Sequence, residues 1–107
     1  MLREAHGRDP LGPVFSADSM EEIAGRALTQ RQFAIALEVI AFARSLYADA
    51  RMFLLLESEA LDGTGDHVRA AESASACIAG PEPRTWNDGV ALVRCRELLQ
   101  RLRDRLP

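Results

Sequence analysis

The chain has no lysine: all thirteen basic residues among its 107 positions are arginine. This reads as a bias of composition, although arginine's planar fork also favours pairing at interfaces. Against sixteen acids the formal net charge is −3, too mild to point to a polyanion partner such as nucleic acid. Thr, Tyr and Trp, which favour strands, are scarce, while 48% of the residues are apolar; that balance points to helix. There are two cysteines, Cys77 and Cys95, with no CxxC or Cys–His spacing, so no metal site is expected. They are expected as two small core residues on separate helices. No apolar run reaches the roughly 18 residues of a membrane span. Met1–Ser16 is broken by Arg3, Glu4, Arg8, Asp9 and two prolines, so it has no secretory apolar core. The expectation is one small cytoplasmic domain, with no cofactor, no nucleic-acid partner and no membrane insertion.

What is present is helical punctuation. Gly7, Pro10, Gly12 and Pro13 break any helix in residues 1–16, which read as an extended arm. Ser19-Met20-Glu21-Glu22 has the form of a capping box, with Ser19 capping and Glu22 returning a bond; this helix should run to about Thr29. A second helix, from about Arg31 to Leu46, is apolar nearly all round and is expected to be central. A third covers about Asp49–Leu61. Its run Met52–Leu56 spreads apolar groups around the whole circumference, more than one packing face can hide. A fourth, about Asp66–Ala79, is thin, with Ala70, Ala71, Ala74 and Ala76, and ends at Gly80-Pro81-Glu82-Pro83. Thr85 caps a last helix from Trp86 to about Leu106, whose stripe Ala91, Cys95, Leu98, Leu99, Leu102 and Leu106 forms one apolar face. Its arginines lie largely off that stripe. Residues 84–107 hold six Arg against three acids, net +3, so residues 1–83 sum to −6.

One pattern occurs twice at a fixed offset of 34 residues. Phe33 pairs with His67, Ala36 with Ala70, Ile40 with Ala74 and Ala43 with Cys77; Ala24 pairs with Ser58 and Ala27 with Leu61. Gly65, His67 and Ala70 mark a turn and the start of a second helix, and Leu54, Ser58 and Leu61 mark the helix before it. By this period and these positions, residues 17–83 resemble a tetratricopeptide-repeat (TPR) protein. Arg31 stands where the first repeat should have its turn glycine, and Ala48 where it should have a closing proline. The resemblance implies an all-α fold. Two helical hairpins (about 17–48 and 49–83) stack as a short solenoid, followed by a long amphipathic C-terminal helix (about 85–106).

No catalytic constellation emerges. Asp62, Asp66 and His67 lie close together, but no nucleophile or orienting third group accompanies them, and His67 fills the aromatic packing position of the repeat. Gly63-Thr64-Gly65 lacks the lysine of a phosphate-binding loop. The expectation is a binder, not an enzyme. Carried over from the TPR register, the groove-facing positions are Asp18, Glu21, Gly25 and Leu28 in the first helix, and Met52, Leu55, Glu59 and Asp62 in the third. That mixed lining lacks the basic residues that clasp acidic tails and suits an amphipathic helix. In length and repeat content the chain is similar to the small TPR chaperones of type III secretion systems, above all the kind that holds the needle subunit monomeric. That resemblance implies a secreted helical subunit and a small co-chaperone as partners, with Ala91, Cys95, Leu98, Leu99, Leu102 and Leu106 as a secondary interface. A self-associating TPR scaffold is the alternative, a homodimer closed through exposed apolar groups on the third helix and the C-terminal stripe.

Overall fold

The computed structural model describes residues 16–48 and 50–106; the expected arm falls almost entirely outside them. Five helices follow in order: α1 Ala17–Thr29, α2 Phe33–Leu46, α3 Arg51–Gly63, α4 His67–Ile78 and α5 Trp86–Arg103. Among the described residues there is no strand. The 34-residue offset is physical. Ala17 and Arg51 open α1 and α3, and Phe33 and His67 open α2 and α4, at that spacing.

The α1–α2 and α3–α4 turns are built alike. Gln32 N–H donates to Ala27 O at 2.8 Å, and Asp66 N–H to Leu61 O at 3.0 Å. In each, the bond runs back five residues over a residue of positive φ, Arg31 at 59° and Gly65 at 88°. This closure satisfies carbonyls left open at a helix end, and glycine adopts it without cost. Arg31 does so despite its Cβ, with its guanidinium 5.7 Å from the centroid of the Phe33 ring.

Local signals set most helix starts. Thr85 Oγ1 accepts from Asp88 N–H at 3.0 Å, as its sequence position indicates, and Asp66 Oδ1 accepts from Arg69 N–H at 3.2 Å. The first helix departs from expectation. Ser16, not Ser19, is the cap, its Oγ accepting from Ser19 N–H at 3.2 Å. Asp18 is favourable in the first turn next to the helix's positive end, so the helix extends back past Ser19. Glu22 therefore sits inside the helix and pairs with exposed Arg26 at 2.9 Å. α5 ends at Arg103, short of Leu106.

Two apolar clusters hold these helices. The first joins Met20, Ala24 and Ala27 of α1, Ala36, Ile40 and Ala43 of α2, and Phe53, Leu56 and Ala60 of α3. The second joins Leu55 and Leu61 of α3 to Ala70 and Cys77 of α4 and to Ala91, Cys95, Leu98 and Leu102 of α5. Both draw on α3, which touches all four other helices. This corrects the expectation that the second helix is central: α2 exposes Ile35 (49%) and Phe42 (44%). It also resolves the run Met52–Leu56, since Phe53 and Leu56 point one way, Leu55 the other, and Met52 and Leu54 pack half-buried beside them.

Small residues occupy the crossings. Ala24, Ser58, Ala36 and Ala70 are wholly buried, and Ser58 Oγ donates to Ala70 O at 2.6 Å. The cysteines are buried as expected but are not separate: Cys77 and Cys95, 18 residues apart, form a disulfide between α4 and α5. Their place in the apolar seam brings the two Cα atoms to 6.4 Å, within bridging range. The stripe on α5 is likewise internal. Ala91, Cys95, Leu98, Leu99 and Leu102 are buried within the molecule, and Leu106 is half-buried beyond the helix end. As a secondary interface it is corrected: α3 and α4 already cover it. Among the described residues, no helix is long and apolar enough to cross a membrane.

Candidate partner-binding groove

α1, α3 and α5 line one side of the molecule, and there the register-derived positions meet. Glu21, Gly25 and Leu28 of α1 and Met52 and Glu59 of α3 border a single groove, with Thr29, Leu56 and Arg94 completing it. A recess continuous with one end adds exposed Asp18, again beside Glu21 and Met52, and reaches Gly80 and Asp88. At the other end a recess between α3 and α5 is bordered by Phe33, Glu59, Asp62, Gly63 and Arg101. The Phe33 ring packs against Gly63, where a Cβ would meet it at 2.3 Å.

Two expected groove residues are used differently. Leu55 is 1% exposed: α5 closes over it, so it is a core residue behind the recess and not a surface for a partner. Asp62 accepts hydrogen bonds from Arg105 at 3.1 Å and pairs with His67 Nδ1 at 2.9 Å, so it links α3 to α4 and to the chain beyond α5. His67 is thereby a packing and bridging residue.

The groove's carboxylates are partly withdrawn from water. Burial raises the Glu21 pKa above 4.5, nearby Asp18 adds to this, and Arg94 opposes it. Burial also raises that of Glu59, against the pull of Arg94 and Arg101. Arg94 Nη2 donates to Glu59 Oε1 at 2.9 Å, bridging α5 to α3 across the groove floor. The outer side is tied separately. Glu57 of α3 accepts from Arg44 of α2 at 2.8 Å and from Ser73 of α4 at 2.6 Å.

Sequence reasoning missed two arginines. Arg94 lies off the apolar stripe of α5, and its spacing of seven from Arg101 puts both on one side of that helix, a readable signal. Arg51 had no signal, because its partners come from other parts of the chain. Its side chain, 4% exposed, donates from Nε to Cys77 O at 2.8 Å, from Nη1 to Asp88 Oδ2 at 2.8 Å and from Nη2 to Pro81 O. It fastens the start of α3 to the end of α4, the connecting loop and the start of α5.

Chemically the groove offers an apolar floor, carboxylates and guanidinium groups along open walls. Among the described residues no cluster of His, Cys, Asp and Glu could hold a metal ion. Comparison of the chain with known family models, curated proteins and solved structures finds no match.

Proposed function

We propose that the protein is a TPR-type binding module that clasps an amphipathic helix of a protein partner in the groove across α1, α3 and α5. The observation that carries this reading is the meeting of Glu21, Gly25, Leu28, Met52 and Glu59, five positions chosen by repeat register alone, around one groove. The 34-residue spacing of helix starts and the paired turns at Arg31 and Gly65 support the repeat. Half-buried Met52 and Leu28 offer apolar contact, and methionine adapts to varied partners. Within this reading, the resemblance to needle-subunit chaperones makes a secreted helical subunit the partner, held in the cytoplasm with a small co-chaperone. No catalytic residue belongs to the proposal.

The test is co-expression with a type III needle subunit. A soluble heterocomplex that Leu28→Asp with Met52→Asp abolishes, while helical circular dichroism is retained, supports the proposal. A complex untouched by that double variant refutes the groove. The alternative, a self-associating scaffold, draws on exposed Ile23 of α1 and Ile35 of α2. It requires a stable homodimer of the protein alone in light scattering, dissociated by Ile35→Asp.

A further inference from the structure

The two walls of the groove carry opposite charge. On α1 the lining residues Asp18 and Glu21 are acidic and none is basic, a formal −2, while Glu22 and Arg26 pair with each other. On α5 the lining residues Arg94, Arg96 and Arg101 stand against Asp88 and Glu97, three bases to two acids, a formal +1, and Asp88 is bound to Arg51. Between them α3 presents Met52 and Leu56 as an apolar floor. Internal pairing does not cancel this polarity. Arg94 is bound to Glu59, but among the described residues Arg96 and Arg101 have no carboxylate within 4.0 Å, and Asp18 and Glu21 have no cation within it.

We propose that the groove takes an amphipathic helix whose two edges carry opposite charge, the basic edge toward α1 and the acidic edge toward α5, so that charge sets the direction in which the helix runs. The inference rests on the groove reading and goes beyond it by specifying the partner's chemistry. A helix seated by an apolar stripe has one flank on each side of that stripe. Turning it end for end in the groove exchanges the flanks. A helix with like charge on both edges therefore meets repulsion at one wall in either direction. A helix with opposed edges meets attraction at both walls in one direction only. Such charge matching governs orientation and partner choice more than it governs affinity.

The experiment uses the full chain and three synthetic helical peptides that share one apolar stripe. One has a Lys edge and a Glu edge, one has Glu on both edges, and one has Lys on both. Fluorescence anisotropy should find the opposed-edge peptide binding about tenfold tighter than either other, a preference that shrinks at high salt. Arg96→Glu with Arg101→Glu reverses the α5 wall at two exposed positions and should make the all-Lys peptide the tightest. A spin label on one end of the opposed-edge peptide should broaden signals near Asp18 or near Leu28, not both. Exchanging the peptide's two edges should move the broadening to the other end. Equal affinities for the three peptides, an unchanged order in the reversed variant, or broadening at both ends overturns the inference and leaves the groove standing. Failure of all three peptides to bind overturns the groove reading along with it.

Discussion

Replacing Arg51 by methionine should lower folding stability by about 3 kcal/mol. The side chain is 4% exposed and satisfies three acceptors: Cys77 O, Pro81 O and the Asp88 carboxylate. Methionine retains most of the buried stem, so the loss is electrostatic and not a cavity. The two carbonyls each lose a charged donor at about 1 kcal/mol apiece. Breaking a buried ion pair costs about 3–5 kcal/mol when the orphan stays buried. Asp88, at 30% exposed, can rehydrate, so its share falls to about 1 kcal/mol. For a domain of this size the total corresponds to a fall in Tm of about 10 °C or more. Urea unfolding of wild type, Arg51→Met, Asp88→Asn and the double variant measures it. The cycle should show coupling of at least about 1 kcal/mol. A loss under about 1 kcal/mol for Arg51→Met, or additive single variants, would refute the view that this guanidinium fastens α3 to the α4–α5 junction.

Arg31 occupies left-handed space at φ 59° and also lies near Phe33, so Arg31→Gly and Arg31→Ala should differ by about 1 kcal/mol in favour of glycine. Equal stability of the two would mean the turn relaxes elsewhere. Reducing the Cys77–Cys95 bond with dithiothreitol reopens a loop of 18 residues and should cost about 3 kcal/mol in equilibrium unfolding; an unchanged midpoint would show that packing alone holds α5. Glu21 and Glu59 both have pKa values raised above 4.5, so the folded state binds their protons more tightly than the unfolded chain does. Stability from these two groups therefore rises as pH falls from neutrality through their folded pKa values toward 4.5. In Tm profiles the Glu21→Gln, Glu59→Gln double variant should lack that rise.

The repeat period was legible because it rests on steric necessity. Only small side chains fit where Ala24, Ser58, Ala36 and Ala70 cross, and an offset of 34 places them there twice. The helices followed from caps, breakers and apolar patterning, and five of the eight register-derived positions border one recess. Most of the misses depend on what a neighbouring helix does. Ser16 and Ser19 are both capping residue types, and Asp18 in the first turn favours the earlier one. α2 is apolar nearly all round and α3 is not, yet α3 is the spine because it packs against all four other helices. Leu55 and the α5 stripe looked like free surfaces because each is the other's cover. Arg51 finds its acceptors 26 to 37 residues away, beyond any local pattern.

Those separations give assembly a direction. A chain made from its N-terminus releases α1, α2 and α3 first, and their shared cluster is complete once Ala60 is free. At that moment the Arg51 guanidinium is still hydrated, since Cys77, Pro81 and Asp88 have yet to be made. The cluster of the first three helices needs nothing made later, whereas the Arg51 bonds need α4, the loop and α5. The arrival of Asp88 dehydrates the waiting charge, and that of Cys95 brings its sulfur to Cys77. A chain halted between Ala60 and Asp88 would hold its first cluster but expose the α3 face that α5 covers, including Leu55, as a sticky surface during synthesis.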